Sequence, residues 1–377
     1  MELQVERDVL ADAVAWAARA LPSRPPVPVL AGVLLEAETD GVLRLSTFDY
    51  EVSARVEVPA EVRTGGSVLV SGRLLADISR SLPGKPVTLV LEGSKVVVTC
   101  GASRFTLLTM PVEEYPTLPG LPEVAGTLAG DEFTAAVAQV TVAASRDETL
   151  PILTGVRMEL EGDKISLLAT DRYRLAVREL RWRPEHPDVS TVALVRARTL
   201  NEVARSLGAT GSIAMALSDT GTGGDLIGFQ AAGRYSTSLL VDGEYPKVRA
   251  LFPAESPTHA VVSTAALVEA VKRVALVAER NTPVRLLFAD GVLSLEAGQG
   301  DDAQASEALD ATLVGESISI AFNPQFLLDG LGALNTPFAR LSFTQATRPA
   351  VITGQGELEG EDDDTYRYLL MPVRMAG

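Results

Sequence analysis

Arg73-Leu74-Leu75-Ala76-Asp77-Ile78-Ser79-Arg80-Ser81-Leu82 is a short amphipathic stretch, and it returns twice along the chain. The second copy is Thr199-Leu200-Asn201-Glu202-Val203-Ala204-Arg205-Ser206-Leu207. The third is Pro324-Gln325-Phe326-Leu327-Leu328-Asp329-Gly330-Leu331. Aligned on Leu74, Leu200 and Phe326, the copies stand 126 and again 126 residues apart. Each places apolar residues on one face of a short helix. Self-similarity at a fixed period marks a repeated structural unit.

Working outward, a second helical stretch precedes each copy: Leu10–Leu21, Phe133–Ser145 and Leu267–Ala278, starting 123 and 134 residues apart. Alternating strands follow each one. They are 33–37 with 42–46, 156–160 with 165–169, and 284–288 with 292–296. Most of the remaining chain alternates apolar and polar residues, as half-buried antiparallel strands do. The unit ends also echo one another: Met110-Pro111 with Glu114-Tyr115-Pro116, Asp242-Gly243-Glu244-Tyr245-Pro246, and Leu370-Met371-Pro372-Val373-Arg374. The expected organisation is three α+β domains of one type, 1–126, 127–255 and 256–377.

Of the 377 residues, 46% are hydrophobic and 22% charged, which excludes a disordered chain. No apolar run approaches the roughly 18 residues of a membrane span. The start has neither the basic nor the apolar region of a signal peptide. A single cysteine, Cys100, leaves no disulfide framework and no thiolate cluster. The cytoplasm is the expected compartment. Only two histidines are present, His186 and His259, so a Ser-His-Asp or histidine-metal site has little to work with. No P-loop, GxGxxG, HExxH or nucleophile elbow occurs. Gly221-Thr222-Gly223-Gly224 lacks the Lys-Ser/Thr of a phosphate loop and reads as a hairpin turn. The acidic run 359–364 does not fit a calcium loop and reads as solvated. Asp49 and Asp171 sit at matching places in two repeats, but no further carboxylates join them to hold catalytic metals.

The charge is 33 basic against 49 acidic residues, net −16, which by itself argues against nucleic acid. The distribution is uneven. The six helical windows 10–21, 72–82, 131–146, 196–207, 264–280 and 323–334 carry ten basic and eight acidic residues, leaving −18 for strands and loops. A repeat architecture can gather these mildly basic helices on one surface. Ordinary scatter of charge meets the same count.

Taken together, the triplication and its motifs resemble the bacterial sliding clamps, the β subunit of DNA polymerase III. The carriers are Ser103-Arg104-Phe105-Thr106-Leu107, Ala169-Thr170-Asp171-Arg172-Tyr173-Arg174-Leu175-Ala176, Asp242–Pro246, Phe322-Asn323-Pro324 and the terminal Leu370–Arg374. The resemblance runs over essentially the whole chain. It implies a head-to-tail homodimer closed into a ring of six domains, with sheets outside and helices lining the hole. It implies no enzyme activity and no cofactor. The expected partner is duplex DNA, held on the nucleoid by enclosure and sequence-independent phosphate contacts. The implied DNA-facing residues are Arg24, Arg73, Arg80, Arg146, Arg198, Arg205, Lys272 and Arg280.

The resemblance also implies a hydrophobic cleft that docks short linear peptides. Its users would be the polymerase III alpha subunit, the clamp loader, other polymerases and repair proteins. Carried over by position, the lining is Leu153, Thr170, Arg172, Tyr173, Arg174, Leu175, Pro246 and Leu251, with Asn323, Phe326, Thr347, Pro349, Leu369, Met371, Pro372, Val373, Arg374 and Met375. Arg174 and Arg374 are expected to hold peptide carbonyls or an acidic residue. The implied subunit contact joins Arg104, Phe105 and Leu107 to Leu276 and Val277 on the third domain's first helix. Ion pairs from Arg104 and Arg80 to Asp301, Asp302 or Glu307 would support it. Two departures stand out. Arg172-Tyr173 replaces the Gly-His or Gly-Tyr common in the family, so arginine narrows one edge of the cleft. Asn281 stands where some relatives carry an aromatic. A peptide-binding repeat scaffold that never touches DNA fits the cleft motifs equally.

Overall fold

The computed structural model describes residues 1–208, 211–218, 225–278, 282–298 and 303–374. The 221–224 turn, Arg280, Asn281, Asp301, Asp302 and Met375 lie outside the described residues.

Among the described residues there are six α-helices: α1 (Arg7–Ala17), α2 (Gly72–Ser81), α3 (Gly130–Thr141), α4 (Ala197–Leu207), α5 (Thr264–Val274) and α6 (Pro324–Gly332). The fourth residue of each is its anchor. Leu10, Leu75, Phe133, Leu200, Leu267 and Leu327 are all at most 1% exposed. One large apolar side chain one turn into each helix therefore fixes which face turns to the sheet. Leu74, in contrast, is 49% exposed. The equal spacing of 126 is thus one residue out of register; the true anchors are 125 and 127 residues apart.

The helices are also shorter than their sequence windows. α1 and α5 tighten into 3-10 turns at Ala18–Ala20 and Ala275–Val277. There i→i+3 bonds such as Leu21 N–H to Ala18 O (3.3 Å) and Ala278 N–H to Ala275 O (3.1 Å) satisfy the last carbonyls. Leu276 and Val277 therefore lie on a 3-10 turn, not on the helix. Arg146 lies in the loop beyond α3.

The repeat is finer than the sequence indicated. Each helix is preceded directly by a strand and followed by an antiparallel three-stranded meander, giving six half-units in chain order. Within each domain the two leading strands exchange. Glu2–Val5 pairs with Val87–Glu92 of the second meander, and Gly66–Ser71 pairs with Gly32–Ala37 of the first. Val124–Ala129 with Ser212–Leu217, and Ser190–Arg196 with Gly155–Glu161, repeat the exchange. So do Thr258–Ser263 with Phe338–Phe343, and Ile318–Phe322 with Val284–Ala289.

The chain forms two compact units. The first comprises Met1–Asp131, Arg183–His186 and Glu202–Leu240, and holds one continuous 14-stranded sheet. Its internal seam joins Val52–Pro59 to Arg234–Leu239, where Ser53 and Thr237 hydroxyls meet at 2.6 Å. The second unit comprises Glu132–Trp182, Pro187–Asn201 and Val241–Gly377, and holds a nine-stranded and a four-stranded sheet. Its seam joins Arg174–Arg181 to Asp362–Leu370. The central stretch of sequence is divided between the units because its two meanders extend different sheets.

In the second unit α6 lies against strand Asp362–Leu370 through Gly330, whose Cα faces the Tyr368 ring with no room for a Cβ. Gly330→Ala should displace that ring and cost about 1–3 kcal/mol, the usual penalty of overpacking. A thermal or denaturant unfolding curve indistinguishable from the parent would contradict this packing.

Candidate functional site

A carboxylate-closed turn begins the site. Asp171 Oδ1 accepts from the backbone N–H groups of Tyr173 (3.0 Å) and Arg174 (3.1 Å). The turn forces Arg172 to φ 81°, a left-handed conformation that costs a Cβ-bearing residue about 1 kcal/mol. This is why glycine suits the position. The first repeat builds the same turn, with Asp49 accepting from Glu51 (3.0 Å) and Val52 (2.7 Å) and Tyr50 at φ 76°. The matching aspartates are thus turn-formers.

Arg174, 6% exposed, makes a set of internal bonds. Its Nε donates to Asp171 (2.9 Å), and one terminal nitrogen donates to Asp329 Oδ2 (2.5 Å) and to the Tyr368 hydroxyl (3.4 Å). The guanidinium lies 4.4 Å from the Phe326 ring centroid. Tyr368 in turn donates to Phe326 O at 2.8 Å. Nε and Nη1 thus bind the turn to α6, an internal role that sequence reading did not assign to Arg174. Burial pushes the Tyr368 phenol well above its ordinary range, so it stays neutral.

An aromatic tier sits on this network. Tyr173, 54% exposed, stacks on Phe326 at 6.0 Å, and the Arg172 guanidinium lies 6.0 Å from the Tyr173 centroid. Asn323 caps α6, accepting from Gln325 (2.9 Å) and Phe326 (3.2 Å), so its side chain serves the helix. The C-terminal strip is tied at both ends. Met371 N–H donates to Tyr173 O (2.9 Å), and Val373 N–H donates to Ala321 O (2.8 Å). Met371 and Arg374 remain exposed, with Pro372 and Val373 half-buried between them.

The floor is one sheet face. Leu168, Leu175, Val177, Leu194 and Leu369 form a buried cluster, plugged by Tyr245 and Val248. Those two belong to a strap, 241–252, that crosses the face. Val241 N–H donates to Leu194 O (2.7 Å) at one end, and Phe252 lies 4.8 Å beneath the Arg367 guanidinium at the other. Leu175 and Leu369 are core, whereas Pro246 and Leu251 on the strap are exposed. Thr170 is buried, its hydroxyl donating to Arg174 O at 2.6 Å. Leu153 is half-buried in the 3-10 turn Pro151–Thr154. Thr347 and Pro349 lie in the turn entering strand Ala350–Gln355. In the first domain Tyr115 occupies the place of Tyr245. Its hydroxyl accepts from Phe48 N–H (2.8 Å), and burial pushes its pKa up to about 12.

The candidate DNA-facing residues are exposed: Arg24 in a loop, Arg73 and Arg80 on α2, Arg198 and Arg205 on α4, and Lys272 on α5. Arginine occupies positions two and nine of both α2 and α4, two turns apart on one face. Arg73 also donates to Pro22 O (3.3 Å), and Lys272 is paired with Glu269 (2.8 Å).

At the candidate subunit contact, Leu107 is 2% exposed and belongs to the core of its own domain. The exposed apolar residues are Phe105, Leu108 at 70% and Leu276 at 84%. Arg104 approaches Glu92 (3.9 Å), and Glu307 is held by Arg273 (2.5 and 3.0 Å). No group of three or more His, Cys, Asp or Glu side chains is placed to hold a metal among the described residues.

Residues 1–119, 127–247 and 249–374 match the N-terminal, central and C-terminal domains of the DNA polymerase III beta subunit. A beta sliding clamp of Streptomyces coelicolor is 60% identical over the full length of both chains. Among solved structures, the sliding clamp of Bacillus subtilis superposes with a TM-score of 0.91 at 27% identity, covering both chains completely. So does a sliding clamp of Pseudomonas aeruginosa bound to griselimycin, with the same score, identity and coverage. The chain belongs to the DNA polymerase III beta subunit family.

Its fold is the three-domain sliding-clamp fold, and its function is that of a replication processivity clamp. Within this clamp, sequence reading missed Asp329, Tyr368 and the strap arginine Arg249. Asp329 and Tyr368 looked like routine helix and strand positions, and their partners are far away in the chain. The one usable signal was an aspartate four residues beyond Gln325 on a short, otherwise apolar helix. Arg174→Ala would leave Asp329 and Tyr368 without their cation. It should cost about 3 kcal/mol or more in denaturant unfolding, as for other broken buried pairs. A loss below about 1 kcal/mol would mean that the pairing is superficial.

Proposed function

We propose that two copies of this chain close head to tail around duplex DNA and slide with the replicative polymerase. The organisation read here is three domains, 1–126, 127–255 and 256–377, in each copy. One observation carries the reading. Of the six meanders, four have their last strand paired across a seam, Val52–Pro59 with Arg234–Leu239 and Arg174–Arg181 with Asp362–Leu370. The last strands of the other two are Ser103–Met110 and Ala305–Asp310. The first pairs on its second edge only at Thr109 and Met110, and the second only with Val292–Ala297 among the described residues. An open edge seeks a partner. Joining these two between copies completes a third seam and generates a heterologous contact that closes after two subunits. Phe105, Leu108 and Leu276 supply its apolar part.

Arg73, Arg80, Arg198 and Arg205, with Arg24, Arg146, Lys272 and Arg280, face the duplex in this reading. Interchangeable phosphate contacts permit sliding, and the acidic remainder of the surface discourages DNA from binding outside. The clamp is a non-catalytic subunit acting in the cytoplasm, on the nucleoid. The tier of Tyr173, Phe326 and Met371, with Leu251 and Pro246 opposite, forms the apolar cleft. Short linear motifs of the polymerase III alpha subunit, the clamp loader and other polymerases and repair proteins dock there. Griselimycin, bound by the Pseudomonas aeruginosa clamp, is a ready occupant for the same cleft.

Phe105→Arg combined with Leu108→Arg should yield a folded monomer in sedimentation, since both positions are exposed; a persistent dimer would refute the seam. Loaded protein should stay on circular DNA and run off once the circle is linearised. Retention after linearisation would favour a scaffold that binds without enclosing. On short linear duplex, log K against log[salt] should fall by about 0.9 per phosphate contacted. Leu251→Ala and Met371→Ala should each weaken griselimycin binding by roughly tenfold, about the value of one buried apolar side chain. Unchanged affinity in both would place the cleft elsewhere.

A further inference from the structure

Resting on the cleft reading above, we infer that Arg249 is a positioning residue: by gripping Glu159 it holds the strap at the height that sets Leu251 on the cleft wall. The strap's 3-10 turn, Val248–Leu251, sends Val248 into the core cluster, and Phe252 packs against that cluster just beyond the turn, leaving the turn's outer residues to be fixed from the side. Beside that plug the strap spans a groove of about 430 Å³, lined by Arg157, Glu159, Leu168 and Tyr245. Packing holds Val248 and Phe252, but over the groove between them the turn has no apolar support, and a directional bond sets its height there.

That bond comes from a charged row below the apolar floor. Strand register aligns Arg157 with Leu168 and Leu168 with Val177, and two residues along it aligns Glu159 with Ser166 and Ser166 with Glu179. The apolar floor thus ends in a row of carboxylates on the same face. Arg249 donates from Nε and Nη2 to Glu159 Oε2 (3.0 and 2.7 Å), while Arg157 Nε donates to Glu159 Oε1 (2.7 Å). Arg249 also stands 3.7 Å from Glu179, whose other oxygen is held by Lys164 at 2.6 Å. Both Glu159 oxygens are used, and the carboxylate is largely covered. A network of this geometry can hold a segment where an isolated surface pair does not.

The first domain supplies an internal control. Its strap packs Tyr115 and Val112 over the corresponding floor, and the carboxylates recur as Glu36 and Glu57. Glu57 is taken by Arg44 and Arg55, and four residues after Tyr115, in the place of Arg249, stands Pro119. The staple occurs on the strap that carries Leu251.

The test measures griselimycin affinity with the full-length protein carrying Arg249→Gln or Arg249→Lys. Glutamine should weaken binding about five- to tenfold, because the strap must then be ordered on binding. Lysine should restore part of the loss, and strap amides 247–251 should exchange faster in the glutamine variant. Parental affinity in Arg249→Gln overturns the staple while leaving the cleft intact, provided that Leu251→Ala still weakens binding. Should the parent not bind griselimycin, the cleft reading and the staple fall together.

A pH series on the parent gives a second measurement if Arg249→Gln misfolds. Burial pushes the Glu159 carboxyl up, but Arg249 and Arg157 outweigh it and hold it below the usual range. The grip is present while Glu159 is charged and is lost as pH falls through that depressed value. Griselimycin affinity should therefore decline on the acid side, and the decline should flatten in Glu159→Gln, which retains Glu179 and Lys164. An identical acid profile in both proteins would count against the staple.

Discussion

Every meander in this protein ends on a strand whose outer edge needs a partner, and the architecture follows from how those edges are covered. Exposed backbone N–H and C=O groups along an edge invite pairing with whatever is available. Two of the six edges meet in the seam of the first unit and two in the seam of the second. The remaining pair, at Ser103–Met110 and Ala305–Asp310, is the chemical reason for proposing a second copy. The first half-unit pairs with the fourth and the third with the sixth, three apart in the series each time. The second and fifth, also three apart, are left, and head-to-tail closure between copies answers that geometry.

The two internal seams are built from different chemistry. In the first unit, small hydroxyl side chains face each other, with Ser53 against Thr237 and Ser236 donating to Ser53 O. In the second, long side chains cross the seam, Arg174 with Tyr368 and Arg178 with Thr365, while Tyr366 donates to the backbone of Gln139 on α3. The second seam is where the candidate cleft stands. A binding surface assembled from a turn, a helix N-terminus and a chain end needs its parts held at fixed distances. The buried Arg174–Asp329 pair does this. A pair of that kind is weak evidence for net stability, but it specifies one arrangement because no other position offers the guanidinium its partners.

Electrostatics separate by structural class. Net charge of −16 coexists with arginines at equivalent positions of α2 and α4 because strands and loops carry the excess acid. Long-range repulsion then works with local attraction. In the proposed reading, duplex DNA is repelled by the acidic strands and loops and met by the helix arginines at a strength low enough for movement.

The sequence by itself determined the α+β class, the triplication and the family, because periodic apolar spacing and a set of short motifs survive without knowledge of contacts. It also located the elements of the candidate cleft: the Thr170–Leu175 turn, the Tyr245–Pro246 strap and the terminal Met371–Arg374 strip. Tertiary structure decided the rest. It showed six half-units where three repeats were legible, since exchanged leading strands leave no local signal. It set the helix register on Leu75 and Leu327, because burial on one face, not equal spacing in the chain, defines the anchor. It turned Leu107 inward and Leu108 outward, a one-residue difference that a strand's alternation makes absolute and that the sequence Thr106-Leu107-Leu108-Thr109 leaves ambiguous. It gave Arg174 to Asp329, 155 residues away. Pairings across such separations are fixed by how sheets meet in space, and no local pattern encodes them.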